Sequence, residues 1–366
     1  MRTTDHFTDN FDWVLLGAVL LLCGIGVVNL YSATRLSSPG LYLTQLLWLG
    51  VGCTAAAVAA LFDYRIYERV AVPGYVLLCM LLVLVLFVGI KVYGSRRWLG
   101  FGGFTFQPSE YAKLAVIFVL AHYFHNDERL PRDGYSLWQL KGAFALLAVP
   151  IGLILREPDL GTSLMVLAVG AAMILFVRVR WTALLAVFGT TAVAVPVVWF
   201  FGLHDYQKQR ILSFVNPAAD ALGAGYHARQ SVIAVGSGGL WGKGFMKGTQ
   251  TQLDFLPEQH TDFIFSVFAE EWGFVASLAV LALYFVVLYR AVVIASRAKE
   301  RFGALLAVGI GALLFWHVLV NVGMVLGLMP VVGVTLPFLS YGGSSLVAFM
   351  IGIGFLLNIS MRRYMF

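Results

Sequence analysis

The chain has 366 residues, of which 60% are hydrophobic and only 12% charged, and its mean hydropathy is +0.84. Soluble domains carry about 25% charged residues, so this composition excludes a soluble globular protein and reads as a polytopic membrane protein. The net charge of +6 could point to nucleic acid, but no basic cluster is interleaved with aromatics outside the apolar runs; lysine and arginine on cytoplasmic loops account for the balance.

Cys23, Cys53 and Cys79 all fall inside apolar runs and read as small buried hydrophobes, not as a disulfide frame or metal site. A helix needs about 20 apolar residues to cross the hydrocarbon core. Backbone groups in lipid must be satisfied internally, and the short alternating strands of a β-barrel are absent, so the spans are expected to be helices.

The first span is Trp13–Thr34. Its polar, mixed-charge lead and its length lead us to expect a retained span and not a cleaved signal. Leu36–Phe62 and Val70–Ile90 follow. The polar hairpin YGSRRWLGFGGFTFQPSE comes next, where glycines and Pro108 forbid a continuous helix. Pro108 opens the fourth span, 108–124, with Lys113 inside it. The fifth, 140–155, is short and contains Pro150; REPDLGTS leads to the sixth, 160–177. The seventh, 181–203, holds Pro196 as an expected kink. A long polar segment precedes the eighth, 263–289, and a basic loop, RAVVIASRAKERFG, follows it. The stretch from Phe302 to Met361, free of Asp, Glu, Lys and Arg, is broken by MPVVGVTLPFLSYGGSS into a ninth and a tenth.

The expected fold is therefore all-α and polytopic. It is a single domain over residues 1–366, with ten transmembrane helices and one long extracytoplasmic loop, 203–262, between the seventh and eighth. Placing the N-terminus in the cytoplasm puts most short-loop Lys and Arg inside, among them Arg65, Arg69, Arg129, Arg132, Arg290 and Arg363. The positive-inside rule favours that orientation, and an even span count puts both termini in the cytoplasm.

Ionisable groups at membrane depth are functional candidates by default. Lys113 is one; it could equally snorkel to the outer interface or pair with Glu110 three residues earlier. Arg97 and Trp98 read either as an interfacial anchor or as an anion site for a phosphorylated headgroup. Asp159 can cap the sixth helix. The glycine run 236–248 matches no nucleotide motif; it is either a flexible loop or a backbone cradle for phosphate aided by Lys243 and Lys247. His260 lacks partners at zinc spacing. Asp262 is either a helix N-cap or a general base at the membrane–water boundary. Glu270 and Glu271, inside a span, are hard to explain as packing. Gly323 and Gly327 form a G-x-x-x-G, read as a helix-packing face.

These blocks together resemble the SEDS (shape, elongation, division and sporulation) family of bacterial cell-wall proteins over essentially the whole chain. The matching residues are Arg97-Trp98-Leu99, Gln107-Pro108-Ser109-Glu110 with Lys113, and Glu157-Pro158-Asp159-Leu160-Gly161. Leu256-Pro257-Glu258 and His260-Thr261-Asp262 also match, with Asn321, Gly327, Pro330, Gly333 and Ser340-Tyr341-Gly342-Gly343-Ser344-Ser345. The two blocks GKGFMKGTQTQLDFLPEQHTDFIF and PVVGVTLPFLSYGGSS favour the elongation branch over the division branch.

The resemblance implies a peptidoglycan glycosyltransferase that polymerises lipid II in the bacterial cytoplasmic (inner) membrane, with its active site outside. It implies Asp262 as the catalytic residue and functional roles for Lys113 and Glu110. Arg97, Trp98, Asp159, Lys243, Lys247, His260, Thr261 and Ser340 complete the candidate substrate-binding set. A class B penicillin-binding protein is the implied partner, with other elongation-complex membrane proteins and undecaprenyl-linked glycan. A divalent cation, Mg2+ or Mn2+, is implied as support, with no ligands assigned. A lipid II flippase and a scaffold for the transpeptidase are the competing readings; ten helices and kinking prolines also suit a transporter.

Overall fold

The computed structural model describes residues 10–35, 37–92, 95–101, 104–129, 131, 133–202, 208, 212–214, 224–253, 255, 256 and 258–362. Parts of the expected long loop lie outside these residues, as do Leu36, Arg132, Pro257 and Arg363. The chain is mostly helical. Among the described residues, eight helices are long and apolar enough to cross a membrane, which makes it a multi-pass membrane protein.

Helix α1, Trp13–Thr34, is capped by Asp12, whose carboxylate accepts from the Leu15 amide at 3.0 Å. Helix α2, Leu41–Leu61, begins later than expected, after Gly40 turns the chain at φ +106. Helix α3, Tyr64–Val88, begins earlier, because Asp63 accepts from the Arg65 amide at 3.0 Å and starts the helix six residues ahead of the apolar run.

The hairpin that follows corrects the all-α expectation. It is a three-stranded antiparallel sheet of β1, Ile90–Val92, β2, Ser95–Phe101, and β3, Phe104–Phe106. Ile90 pairs with Trp98, and Leu99 with Phe106. Apolar and aromatic residues paired across strands supply what a helix cannot form through these glycines.

Helices α4, Pro108–His125, α5, Leu137–Arg156, and α6, Leu160–Phe176, follow. Ser136 and Gln139 form a capping box at the start of α5. Helix α7, Trp181–Val197, passes at Pro196 into a π-helical turn, Val198–Gly202. The proline, which has no amide donor for the helix ladder, immediately precedes this change of turn. Only Ala183 of α7 is buried.

The long polar segment is partly helical: α8 is Ala224–Ser237 and α9 is the single turn Thr249–Gln252. Helix α10 runs from Ile264 to Arg297, absorbing most of the expected basic loop, and α11, Arg301–Val325, starts after only three residues. Gly327 lies beyond α11 at φ +71. Its amide donates to the Met324 carbonyl at 3.1 Å, and the Leu328 amide to Gly323 at 2.8 Å. The second glycine of the G-x-x-x-G thus serves a helix-ending turn beyond α11, and a β-carbon on it would meet Val232 of α8 at 3.0 Å.

Helix α12, Gly343–Arg362, is buried along almost its whole length, against α2 above all. A β-carbon on Gly354 would meet the Ala56 carbonyl at 2.4 Å, which shows how closely these two helices approach. The Asn358 amide donates to the carbonyls of Ala59 and Ala60 and closes the end of α2.

Helix α10 has 34 residues, roughly 50 Å at 1.5 Å each, well beyond the ~30 Å hydrocarbon core. It is broken at Gly273, with φ 79 and ψ −173. The break strands the carbonyls of Glu270 and Glu271 and the amides of Phe274 and Val275. The glycine loop takes up all four. The Lys243 and Gly244 amides donate to Glu270 and Glu271 at 3.0 and 2.9 Å. The Phe274 and Val275 amides donate to Gly239 and Leu240 at 2.9 and 3.2 Å. The loop thus replaces the missing turn of α10, as backbone in an apolar setting requires.

Candidate active site

Asp262 sits just ahead of α10, half-buried. The helix cap position is Phe263, with no side-chain cap, so Asp262 does not serve as the expected N-cap. Its peptide is clamped from two sides. The Asn321 side chain of α11 donates to the Asp262 carbonyl at 2.9 Å and to Val334 at 2.7 Å. Ser340 donates to the Thr261 carbonyl at 2.6 Å, and the Tyr341 amide to the His260 carbonyl at 2.9 Å. The candidates Thr261, His260 and Ser340 therefore hold this segment through its backbone. A β-carbon on Gly333 would lie 3.4 Å from Asp262 Oδ2, so this glycine borders the carboxylate without adding a side chain to it.

Lys113 does not snorkel. It is 1% exposed, and its Nζ lies 2.9 Å from Glu110 Oε2 and 3.0 Å from His317 Nε2. The pairing of Glu110 with Lys113, open in the sequence, is realised. His317 Nδ1 lies 3.0 Å from the Thr335 carbonyl. The segment 333–335 thus touches both Asp262 and, through His317, the Lys113 pair. Sequence reasoning passed over His317; its signal was a lone imidazole in a span without other titratable groups.

Asp159 caps α6 as expected: its carboxylate accepts from the Thr162 amide at 3.1 Å and the Thr162 hydroxyl at 2.9 Å. Its other contact, with Gln107 Nε2 at 3.5 Å, ties α6 to the start of α4. A β-carbon on Gly161 would meet the Val332 carbonyl at 2.5 Å, so the head of α6 packs directly on the strip beside Asp262. Arg97 donates through Nε to the Glu157 carbonyl at 3.1 Å and through Nη2 to Pro158. It braces the α5–α6 turn and retains further N–H groups. Trp98, next to it, is partly buried in β2.

Glu157, named in a matching block but given no role from the sequence, is 1% exposed, and among the described residues neither carboxylate oxygen has a hydrogen-bond partner. Burial first, and Asp159 second, push its carboxyl up to about 8, against the opposing pull of Arg97. The folded chain therefore holds a proton here that the unfolded chain releases above about 4.5. Stability is expected to fall by up to about 1.4 kcal/mol per pH unit between those values and to level off above them. Glu157→Gln should flatten the fall in a thermal-denaturation series from pH 5 to 9; parallel curves for the two proteins would refute the assignment.

Lys243 is not gathered with these groups. Its Nζ is 2.6 Å from Glu270 Oε1 and 2.8 Å from Thr249 Oγ1. Glu271 accepts from Ser32 at 2.5 Å. The two acids that resisted a packing explanation are tied into the glycine loop and α1. Lys247 is exposed on that loop. Among the described residues no three His, Cys, Asp or Glu side chains converge to hold a metal ion.

The arrangement can do acid–base chemistry at a half-buried carboxylate beside a glycine, with the buried Lys113–Glu110 pair linked to the same strip through His317. The sequence profile described as "Cell cycle protein", covering FtsW, RodA and SpoVE, matches residues 12–365. The chain is 41% identical to the peptidoglycan glycosyltransferase MrdB of Escherichia coli K12, over 97% of this chain and 95% of that protein. Its structure resembles a chain of the complex described as "Structural coordination of polymerization and crosslinking by a peptidoglycan synthase complex". The TM-score is 0.84 at 33% identity, covering 97% and 99% of the two chains. It also resembles Thermus thermophilus rod shape determining protein RodA, with TM-score 0.73 at 32% identity, covering 97% and 98%. The clamped Asp262 segment and the buried Lys113 pair therefore sit in a chain that belongs to the FtsW/RodA/SpoVE family of cell cycle proteins.

Proposed function

We infer that this chain is a peptidoglycan glycosyltransferase that polymerises lipid II during cell elongation. The observation that carries the reading is the seat of Asp262, pinned by its own backbone from α11 and from 340–341 and facing a residue with no side chain. The Asp262 carboxylate takes the proton from the 4-hydroxyl of the acceptor GlcNAc. That oxygen attacks the anomeric carbon of the donor, the bond to phosphate breaks, and undecaprenyl pyrophosphate leaves as the centre inverts from α to β. Lys113, buried and paired with Glu110, supplies fixed positive charge toward the leaving pyrophosphate, and the spare N–H groups of Arg97 suit its oxygens. Trp98 and Asp159 shape the same side, and exposed Lys247 is free to meet phosphate at the rim. Lys243 holds the loop to Glu270. A divalent cation serving the pyrophosphate would draw its ligands mainly from the substrate, as Mg2+ does at phosphate sites.

The eight long apolar helices, together with α4 and α6, give ten spans in this reading, and the lysine and arginine distribution favours cytoplasmic termini and an outward-facing Asp262 in the cytoplasmic membrane. A class B penicillin-binding protein is the partner that the likeness to a polymerising and crosslinking complex supports. The test is polymerisation of purified lipid II by the chain with its transpeptidase. Asp262→Asn should slow it about 100-fold or more while the protein elutes and melts as the wild type does. Wild-type polymerisation by a folded Asp262→Asn protein would overturn the reading.

A further inference from the structure

The Thr335 carbonyl can only accept, so His317 Nδ1, 3.0 Å away, carries the ring's proton. A neutral imidazole then has a lone pair on Nε2, and that atom faces Lys113 Nζ at 3.0 Å. An imidazolium there would set two cations 3.0 Å apart in a site that is 1–2% exposed. The tautomer is thereby fixed, with Lys113 donating and His317 accepting. A second N–H of Lys113 goes to Glu110 at 2.9 Å, and the Phe349 ring centroid lies 5.6 Å from the ammonium. Two acceptors at fixed positions stop rotation about the Cε–Nζ bond and set the direction of the third N–H.

The same helix face carries Asn321 one turn later. Asn321 holds the carbonyls of Asp262 and Val334, and His317 holds the carbonyl of the next residue, Thr335. Two side chains of α11 therefore bind the acid half and the cation half of the site to one rigid rail. A residue needed only to fill space would not require a donor and an acceptor aimed in opposite directions.

We propose that His317 is a positioning residue for the polymerisation reaction, orienting the Lys113 ammonium toward the donor's pyrophosphate at a fixed offset from Asp262. The proposal rests on the glycosyltransferase reading. Glutamine can reproduce both contacts, its amide oxygen accepting from Lys113 and its NH2 donating to Thr335; leucine fills the volume and makes neither. The expected result is that His317→Leu lowers kcat for lipid II polymerisation 10-fold or more with KM within 3-fold of wild type, whereas His317→Gln stays within about 3-fold in both.

If His317→Leu fails to fold, the proposal is still tested by 15N spectroscopy of histidine-labelled wild-type protein. His317 should show the Nδ1-protonated neutral tautomer from pH 5 to 8, and its Nε2 resonance should shift in Lys113→Met. Equal kcat for the folded Leu and Gln variants, or an Nε2-protonated or titrating His317, would overturn it. Asp262→Asn assayed beside them separates the two claims. If Asp262→Asn is inactive and His317→Leu is fully active, only this inference fails; if both polymerise at the wild-type rate, the glycosyltransferase assignment of Asp262 fails.

Discussion

Replacing Gly273 with valine is expected to cost more than about 4 kcal/mol of stability, enough to lose most folded protein. Two effects add. The backbone there has φ 79 and ψ −173, a region that a β-branched residue almost never occupies. The new β-carbon would also meet the Gly242 amide nitrogen at 2.2 Å and the Leu240 carbonyl oxygen at 2.7 Å. Those atoms are backbone and cannot swing aside. Facing glycines show the same closeness: a β-carbon on Gly238 or Gly242 would meet the carbonyl of Ala269 or Glu271 at 2.1 Å. The glycine loop would have to leave the break, abandoning four hydrogen bonds in an apolar setting. The check is the midpoint of thermal unfolding in detergent and the yield of monodisperse protein. Gly17→Ala is the control, because nothing lies within 4 Å of its β-carbon and alanine favours the helix.

Glu270→Leu is expected to cost about 3–5 kcal/mol, the usual penalty for removing one partner of a buried charged pair. Glu270 is fully buried. Its Oε1 accepts from Lys243 Nζ at 2.6 Å, from the Thr249 amide at 2.9 Å and hydroxyl at 3.0 Å, and from the Gln250 amide at 3.2 Å. One carboxylate therefore gathers the loop's lysine and the amides that open α9. Leucine leaves the ammonium and those amides without an acceptor. Adding Lys243→Met to Glu270→Leu should recover part of the loss, and a double-mutant cycle by thermal unfolding reads the coupling. Strictly additive single effects would mean that the pair does not hold the loop.

Eight of the expected spans were legible because each is a run of apolar residues long enough to cross lipid, and that signal is local. Asp159 was legible as a cap for the same reason, since its partner is three residues away. The break in α10 was not. AEEWGFV reads as continuous helix, because a glycine is tolerated inside one, and what stabilises the break is a loop about 30 residues earlier. Glu270 and Glu271 looked unexplained for the same reason: Lys243 is 27 residues away, and Ser32 is 239. Lys113 could not be placed because snorkelling and burial differ only in which way a flexible side chain turns. Its second acceptor, His317, is 204 residues distant. The sheet was readable as a non-helical hairpin, but its pairing was not, because register depends on partners across the turn.

The uneven distribution of polarity among the helices bears on how the chain enters the membrane. Helix α4 carries Glu110 and Lys113, and neither it nor the 17-residue α6 is among the helices apolar and long enough to cross unaided. The two pack on each other and on α11. A translocon that judges segments one at a time would release neither readily into lipid. The acceptors of Lys113 come from α4 itself, at Glu110, and from α11, nearly 200 residues later in the chain, so the charge on α4 is fully paired once α11 is in place. On the ten-span reading, secure insertion of α4 is expected to be coupled to that of α11.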